Sequence, residues 1–505
     1  MIYSASDLPL PARLQADVCV VGAGAGGSAA AMVAAEAGRS VVVLEPGAYL
    51  TPADMNQREE DMLPQLLWSS GAQTTADRGV HVHQGRGVGG STLHNLNLCK
   101  RIPDALIARW REERGLAQLP PAVWGALYDE VEALLAVSAV PRTRWNRHNQ
   151  LLEAGCHALG WRGGGLSHNR SGCVGSGFCE LGCAYDAKNN ALKVLLPRAI
   201  RAGAEVITRC QAVTVRHEGG RARGVEAVAL DPRTGRPLGP VVVEAERVVL
   251  AASATGTAAL LRRSEVPDPH EQVGRTLRLH PAATVAGEFE GPVRAWEGIP
   301  QTYECTEWLD LAGTGGHRSW IVPAFAHPMG FAALLPGHGA AHRGLMERYA
   351  HLAVLSAMLH DETAGSVAPS GELGLSIDYW PHAADRAELA FGVWKCAELL
   401  FAAGATRVHV PSRVPRVLER GASLEDLREL EVIRGEVELT AVHPMGSVPM
   451  ADDPRQGAAD SAGRYHHLEG LWISDGSLFP SSIGVPPQLS IYALGLHVGR
   501  ALLRA

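Results

Sequence analysis

The sequence predicts a mixed α/β fold with more than one domain. The chain has 505 residues, of which 46% are hydrophobic and 20% charged. This is the composition of an ordinary folded protein, and it excludes disordered, collagen-like and coiled-coil classes. At roughly 100 to 200 residues per domain, two or three folded units are expected. From residue 17 onward an apolar run, a glycine turn, an Ala-rich stretch and a second apolar run follow one another, which predicts a βαβ unit.

Charge and hydropathy indicate a protein that acts on small molecules. The formal net charge is −7 and there is no block of Lys and Arg, which argues against nucleic acid or an anionic membrane as a partner. No stretch approaches the roughly 18 uninterrupted apolar residues of a membrane span, and residues 1–18 lack the charged-then-apolar order of a secretory signal. We therefore predict a cytoplasmic protein, or a periplasmic one if a partner subunit carries it there.

The first motif is the glycine turn of the βαβ unit. Gly22, Gly24 and Gly27 form G-x-G-x-x-G after a strand and at the start of a helix. The first glycine permits a tight turn, the second lets a pyrophosphate approach the helix N-terminus, and the third lets helix and strand pack closely. Glu45, at the end of the next strand, is positioned for a pair of ribose hydroxyls and would repel a 2′-phosphate. This pattern predicts a Rossmann-like dinucleotide-binding unit.

Two observations favour FAD over NAD as the dinucleotide. The fingerprint lies at the start of the chain, and a second glycine-rich turn, GRGVGGSTLHN at 85–95, follows some 60 residues later. Two such turns suit a cofactor that is buried along its length. We therefore predict an FAD-binding domain.

The rest of the chain supplies further elements and a domain division. An amphipathic helix is predicted within 189–203, strands within 205–210, 212–218, 222–230 and 246–253, and a terminal helix within 489–503. Residues 291–435 hold five of the eleven tryptophans. We predict a discontinuous FAD-binding domain of 1–100, 185–290 and 436–505, an intervening region of 101–184, and a β-sheet-based substrate or cap domain of 291–435.

Four segments together resemble one known family. They are the fingerprint, GRGVGGSTLHN at 85–95, HPMGSVPM at 443–450 and LEGLWISDGSLFPSSIGVPPQLSIYALG at 468–495. In this order they resemble the glucose-methanol-choline family of flavoprotein oxidoreductases. The resemblance implies an FAD-binding domain with a cap domain over the isoalloxazine, and oxidation of an alcohol by hydride transfer to flavin N5. It also implies cofactor contacts at Gly89, Gly90, Ser91, Asn95, Asp475 and Gly476.

His443 is the candidate catalytic base. It lies in a turn, HPMG, rather than on an apolar helical face, and a neutral imidazole is the usual acceptor of a hydroxyl proton near neutral pH. In the family this histidine faces the substrate and the flavin. A second His or Asn normally follows in the terminal segment, but Pro486 occupies that place here. Either His443 works alone, or Gln488 or a group of the cap domain supplies the second hydrogen bond, or activity has been lost.

His94, in the second glycine-rich turn, leaves two alternatives open. Some relatives carry a histidine at this place that bonds covalently to the flavin, and the resemblance therefore implies that FAD could be tethered through His94. The alternative is that His94 packs against the isoalloxazine without a bond.

Three of the nine cysteines form the second candidate site. Cys173, Cys179 and Cys183 are spaced C-x5-C-x3-C among glycines. Three is the number of thiolates that a [3Fe-4S] cluster takes from protein, whereas zinc and [4Fe-4S] sites usually want four. The segment resembles a loop in the catalytic subunits of bacterial FAD-dependent sugar dehydrogenases, where such a cluster passes electrons to a cytochrome. Similar loops also occur in long-chain alcohol oxidases without a demonstrated cluster, so buried thiols or a loop disulfide remain alternatives.

The function predicted from the sequence is oxidation of an alcohol or sugar hydroxyl by an FAD-dependent dehydrogenase. If the cluster is present, electrons pass to an acceptor protein or small subunit. The first alternative is a long-chain alcohol oxidase that uses oxygen, and the second is a noncatalytic flavin-binding or electron-transfer protein, motivated by Pro486.

Overall fold

A computed structural model describes residues 1–324, 326–335 and 337–504. Its strands alternate with helices along most of the chain. In chain order the strands are β1 (Ile2–Ser4), β2 (Ala12–Val21), β3 (Val41–Leu44), β4 (Val80–Val82), β5 (Val137–Ala139), β6 (Gly163–Gly165), β7 (Ser167–Asn169), β8 (Glu205–Thr208), β9 (Cys210–Glu218), β10 (Arg221–Leu230), β11 (Pro237–Leu250), β12 (Ala282–Glu288), β13 (Tyr303–Cys305), β14 (Ser319–Pro323), β15 (Leu352–Leu359), β16 (Ser366–Ser370), β17 (Gly374–Asp378), β18 (Arg407–Val410), β19 (Arg416–Glu419), β20 (Leu439–Ala441) and β21 (Leu471–Ile473).

The helices range from single turns to twenty residues. They are α1 (Ala25–Glu36), α2 (Glu59–Leu66), α3 (Asp104–Arg114), α4 (Pro121–Leu134), α5 (Arg147–Leu159), α6 (Ala191–Val194), α7 (Leu196–Arg201), α8 (Ser253–Arg263), α9 (Pro328–Leu334), α10 (Gly339–Glu347), α11 (Ala383–Ala402), α12 (Glu425–Arg428) and α13 (Gln488–Arg504). None of the helices in the described ranges is long and apolar enough to cross a membrane.

The first sheet confirms the predicted βαβ unit. Its strand order is β1-β8-β3-β2-β11-β10-β9, with β21 paired to β11. β2 and β3 are parallel, α1 connects them, and β11 and β21 continue the parallel pairing on the other side of β2. Strands buried on both faces read as continuous apolar runs, which is why Val18 to Val21 and Val41 to Leu44 were recognisable in the sequence.

The elements predicted after residue 185 are confirmed with two differences. β8, β9, β10 and α13 lie where the sequence predicts them, whereas β11 begins at Pro237, nine residues before the predicted strand within 246–253, and ends at Leu250. The predicted helix within 189–203 is instead two short helices, α6 and α7, that meet at Leu195. Pro197 stands in the first turn of α7 and has no N–H to donate to the preceding turn, which explains the break.

A second sheet draws its strands from much of the chain. Its order is β19-β18-β12-β15-β14-β13-β6, and β20 joins β12 to β4. β12, β4 and β20 come from segments that the sequence analysis placed in the FAD-binding domain, and β6 comes from the intervening region. The strands therefore cross the predicted boundaries, and the division into domains stays a prediction.

The N-terminal and C-terminal helices pack together behind the first sheet. A Cβ added at Gly495 would lie 2.7 Å from the Ala29 Cβ, and one at Gly499 would lie 2.9 Å from the Val33 Cβ. This close approach of α13 to α1 brings the last segment of the chain against the glycine fingerprint. The mixed α/β fold class predicted from the sequence is confirmed.

Candidate functional site

The three glycines of the fingerprint have different structural roles at the end of β2. Gly22 has φ +103°, and a Cβ there would lie 2.3 Å from the Ala251 carbonyl oxygen. A Cβ on Gly27 would lie 2.0 Å from the Gly22 carbonyl oxygen. At Gly24 an added Cβ has no neighbour closer than the Gly90 Cα at 4.0 Å. Gly22 and Gly27 are therefore required by the fold, whereas Gly24 borders open space at the N-terminus of α1.

The second glycine-rich turn lies directly against the first. The Gly89 N–H donates to the Ala23 carbonyl oxygen at 2.9 Å. Gly90 has φ +54°, and a Cβ there would lie 2.9 Å from the Gly24 Cα. Ser91 accepts a hydrogen bond from the Gly85 N–H at its Oγ, at 2.8 Å. The structure thus brings together Gly22 to Gly27 and Gly89 to Ser91, as expected for two walls of one binding site.

The Glu45 carboxylate accepts hydrogen bonds from backbone N–H groups of both glycine-rich turns. Its Oε2 accepts from the Ala23 N–H at 3.1 Å, and its Oε1 accepts from Gly47 at 2.9 Å and Gly87 at 3.0 Å. Burial raises the pKa of Glu45, and these N–H donors oppose the rise. A carboxylate offers about four acceptor positions, so one remains for a ribose hydroxyl rather than a pair. Ribose binding by Glu45 stays a prediction.

The segment after β21 lies between the fingerprint and the HPMG turn. Ser474 donates from its Oγ to the Gly26 carbonyl oxygen at 3.1 Å, and the Gly446 N–H donates to the Gly476 carbonyl oxygen at 2.9 Å. Asp475 is buried and accepts from the Thr257 hydroxyl at 2.6 Å. Asp475 and Gly476 therefore lie next to both turns, which is compatible with their predicted contact to the cofactor.

His443 has a partner that the sequence analysis missed. The Nδ1 of His443 lies 3.3 Å from the Nδ1 of His280, and the two rings are nearly perpendicular, at 84°. Burial lowers the pKa of His443 to about 3 and holds the pKa of His280 well below its usual range. Both rings are neutral, and together they form a two-imidazole site.

A buried carboxylate fixes the backbone of His280. His280 has φ +51°, in the left-handed region that non-glycine residues rarely occupy. Asp361 accepts from the Leu279 N–H at 3.0 Å and from the Tyr379 hydroxyl at 2.8 Å. The Gly484 N–H donates to His280 Nε2 at 3.0 Å. The imidazole is therefore held at both its backbone and its ring.

Gln488 lies in a different hydrogen-bond network from His443. Its Oε1 accepts from the Asn95 Nδ2 at 2.7 Å, and its Nε2 donates to the Leu98 carbonyl oxygen at 2.6 Å and to Asn169 Oδ1 at 3.2 Å. Both amide hydrogens are thus used to hold the segment after the second glycine-rich turn. Catalysis by Gln488 stays a prediction, and its contacts favour a positioning role.

His94 and Lys188 occupy the end of the second glycine-rich turn. His94 Nε2 is buried and has no hydrogen-bond partner among the described residues, and burial lowers the pKa of His94 to about 3. The Lys188 ammonium is buried and donates to the carbonyl oxygens of Leu93 at 2.9 Å, Asn95 at 2.6 Å and Cys179 at 2.9 Å. Lys188 therefore joins this turn to the cysteine loop.

The three cysteines of the loop line one small cavity. Cys173, Cys179 and Cys183 line a space of about 20 Å³, enough for about one water molecule. The Gly175 N–H donates to Cys173 Sγ at 3.4 Å, and the Ala187 N–H donates to Cys183 Sγ at 3.3 Å. All three cysteines are free thiols, so the alternative of a loop disulfide is not realised.

The three sulfur atoms do not converge as ligands of a single ion would. A site for one metal ion needs three or more His, Cys, Asp or Glu side chains whose ligand atoms lie close together. Among the described residues, the group whose ligand atoms all lie within 4.8 Å of one another is Glu362, His382 and Asp385, and it does not include the three cysteines. In that group, the Asp385 carboxylate forms an ion pair with the Arg318 guanidinium, with 2.9 Å between Oδ1 and Nη2. The [3Fe-4S] cluster stays a prediction.

The chain is similar to known proteins along most of its length. Family models of the GMC oxidoreductases match residues 21–282 and 363–495. The chain is 35% identical over 495 residues to an uncharacterized GMC-type oxidoreductase of Mycobacterium tuberculosis, covering 97% of this chain and 76% of the relative. It is 27% identical over 532 residues to a long-chain-alcohol oxidase of Arabidopsis thaliana, covering 97% of this chain and 68% of that relative.

A solved structure shows the same fold. A variant of the formate oxidase of Aspergillus oryzae, solved for the effect of its mutation on FAD modification, superposes with a TM-score of 0.72 at 14% identity. The match covers 97% of this chain and 98% of that one.

Proposed function

We propose a function from one premise: the chain belongs to the GMC oxidoreductase family. It is an FAD-dependent oxidoreductase. We propose further that it oxidises the hydroxyl group of an alcohol or a sugar, with His443 as the side chain that contacts that hydroxyl. The observation that carries this proposal is the neutral pair His443 and His280, with 3.3 Å between the two Nδ1 atoms.

The residues around the two glycine-rich turns fit FAD. The open space at Gly24 and the free N–H groups in the first turn of α1 suit a pyrophosphate. Glu45 keeps one acceptor position for a ribose hydroxyl, and the partnerless His94 Nε2 suits a contact with the flavin. Bound FAD supplies the acceptor for the hydride that leaves the substrate carbon.

The residues of the chain supply binding and control of the proton. Because burial keeps His443 neutral, its ring can share a hydrogen bond with a substrate hydroxyl near neutral pH. Pro486 has no polar side-chain atom, so it cannot act as the second polar group that the family resemblance leads one to expect. We propose that His280, from the segment before β12, compensates by hydrogen-bonding to His443 rather than to the substrate.

Replacing His443 tests the proposal. In His443→Ala we expect FAD to remain bound and alcohol-driven flavin reduction to fall by about 100-fold or more, the usual contribution of a positioned acid or base. Anaerobic stopped-flow absorbance with a long-chain alcohol, a short alcohol and an aldose measures this rate. His217→Ala, a half-buried histidine on β9, is the control. A rate for His443→Ala within threefold of the control, with threefold being about the scatter of such data, refutes the assignment.

For the route of electrons we propose that Cys173, Cys179 and Cys183 hold a [3Fe-4S] cluster, which makes the protein a dehydrogenase with a protein acceptor. The shared cavity and the N–H donors to the sulfurs of Cys173 and Cys183 support this, because hydrogen bonds to thiolate sulfurs are a feature of such clusters. The cavity of about 20 Å³ requires the loop to open around the cluster.

Metal and peroxide measurements separate this proposal from an oxidase. Anaerobically purified protein should contain iron and acid-labile sulfide in near-stoichiometric ratio to FAD, and Cys179→Ser should lose them while Tyr185→Phe in the same loop keeps them. Alcohol oxidation should reduce an artificial dye faster than it forms hydrogen peroxide. Absence of iron after anaerobic reconstitution, together with stoichiometric peroxide, would instead assign the function of a long-chain alcohol oxidase.

A further inference from the structure

The hydrogen bonds around His280 determine which nitrogen of His443 carries a proton. The Gly484 N–H donates to His280 Nε2 at 3.0 Å. A backbone N–H can only donate, so this ring nitrogen must present a lone pair. A neutral imidazole carries one N–H, and the proton of His280 therefore lies on Nδ1.

The same reasoning extends to the second ring. His280 Nδ1–H points to His443 Nδ1 at 3.3 Å, so His443 Nδ1 is the acceptor of this bond. His443 is also neutral, because burial keeps its pKa far below neutral pH. Its single proton therefore lies on Nε2, because the hydrogen bond that His443 makes among the described residues is through Nδ1.

We propose that Gly484 and His280 lock His443 in the tautomer with Nε2–H, so that His443 meets the substrate oxygen as a hydrogen-bond donor. This inference rests on the proposed function only for the identity of the substrate group. A general base needs a lone pair on Nε2. His443 could offer one only if both rings inverted, and His280 would then turn an N–H against the N–H of Gly484.

The surroundings resist such an inversion. The Asp361 carboxylate accepts a hydrogen bond from the Leu279 N–H at 3.0 Å. This bond stabilises the left-handed backbone conformation of the next residue, His280. Gly484 has φ +67°, and a Cβ there would lie 2.1 Å from the Leu311 Cδ2, so the donor at this position belongs to a tightly packed turn. His280, Asp361 and Gly484 are therefore positioning groups for His443.

The donor role changes the handling of the hydroxyl proton. The substrate oxygen accepts from His443 Nε2–H, which orients the hydroxyl and stabilises negative charge that develops on its oxygen. His443 keeps its own proton and is not the acceptor of the hydroxyl proton.

Nitrogen NMR of the holoenzyme tests the tautomer directly. We expect FAD-loaded protein labelled with ¹⁵N-histidine to show His443 protonated on Nε2 and His280 protonated on Nδ1 near neutral pH, with signals assigned from His443→Ala and His280→Gln. His443 protonated on Nδ1 would overturn the proposal. Because this measurement needs no substrate, it stands even if no alcohol reduces the flavin.

Two substitutions at His280 give a matched pair. Gln can accept from Gly484 with its oxygen and donate to His443 with its amide, so His280→Gln should keep the Nε2–H tautomer of His443 and lose less of the flavin-reduction rate than His280→Leu. His280→Leu can do neither, and it should show both His443 tautomers and a loss of about 100-fold. An unchanged His443 tautomer in both variants would refute control by His280, whereas equal loss of rate in both with an unchanged fold would refute the donor role.

Discussion

His94, His148, His360 and His443 are all neutral in the folded protein because burial lowers their pKa to about 3 or 4. In the unfolded chain a histidine takes up its proton at about pH 6.5. The unfolded state therefore binds more protons below that pH, and the free energy of unfolding must fall as the pH falls. The histidines that make the site neutral also make the protein sensitive to acid.

His148 offers a test of this sensitivity away from the site. It lies on α5, and its Nε2 is 3.0 Å from the Val354 nitrogen and 2.7 Å from the Val354 carbonyl oxygen on β15. Between about pH 7.5 and about pH 5.5 it should cost the folded state about 1.4 kcal/mol. Urea unfolding of His148→Gln should show a smaller pH difference than wild type by this amount, with His217→Gln as control. An equal pH difference in wild type and His148→Gln would contradict the assignment.

A covalent bond between the protein and the flavin would form at His94. Its Nε2 is buried, neutral and without a partner in the described part of the chain, so a lone pair is available for a bond to the flavin. We expect acid precipitation to leave yellow flavin in the protein pellet, and His94→Ala to release it into the supernatant. Quantitative release of flavin from the wild-type protein would show contact without a bond.

Single-residue chemistry could be predicted from the sequence only where a motif surrounds the residue. His443 stood out because of HPMG, and the proline at 486 signalled that its usual partner was missing. His280 could not be found in this way. Its contact with His443 spans 163 residues and depends on a left-handed backbone that is set by Asp361 from a third segment.

At the scale of elements, the glycines of the fingerprint fall into two groups: those that the packing of the fold requires and one that leaves space for the ligand. Gly27 lies against the Gly22 carbonyl, whereas Gly24 faces open space. These strands and helices were predictable because their apolar periodicity is local in the sequence. The break between α6 and α7 was not, since it depends on how Pro197 is placed within a helix.

A pair of alanine substitutions tests this distinction. Gly24→Ala should leave the free energy of unfolding of the apoprotein unchanged, because the new Cβ has no neighbour within 4.0 Å, yet weaken FAD binding by at least about tenfold through loss of one of the closest approaches to the pyrophosphate. Gly27→Ala should destabilise the apoprotein by about 1–3 kcal/mol through overpacking. Fluorescence titration with FAD and urea unfolding measure the two effects. Equal destabilisation by both substitutions would contradict the separate roles.

At the scale of the whole molecule, the second sheet and the cysteine loop are assembled from distant segments. β4, β6 and β20 each have three residues, too few for an alternating pattern to be recognised in the sequence. β20 pairs with the longer strand β12, β4 pairs with β20, and β6 pairs with β13. In the same way, the distance between the cysteine loop and the second glycine-rich turn is set by Lys188, whose burial no sequence pattern indicated.

Lys188 should therefore control both loops at once. Its ammonium donates to three carbonyl oxygens from two loops, and Met in its place keeps an unbranched side chain but leaves these buried acceptors without a donor. We expect Lys188→Met to speed FAD dissociation by about tenfold or more, since one lost hydrogen bond from a charged group is worth about 1.5–3 kcal/mol, and to expose 171–187 to limited proteolysis. Lys193→Met is the control, because Lys193 is only half-buried and pairs with Asp186 in the same region. If Lys188→Met changed neither FAD dissociation nor cleavage, the two loops would be positioned independently of each other, and the flavin site and the cysteine site would have to be treated as separate parts of the molecule.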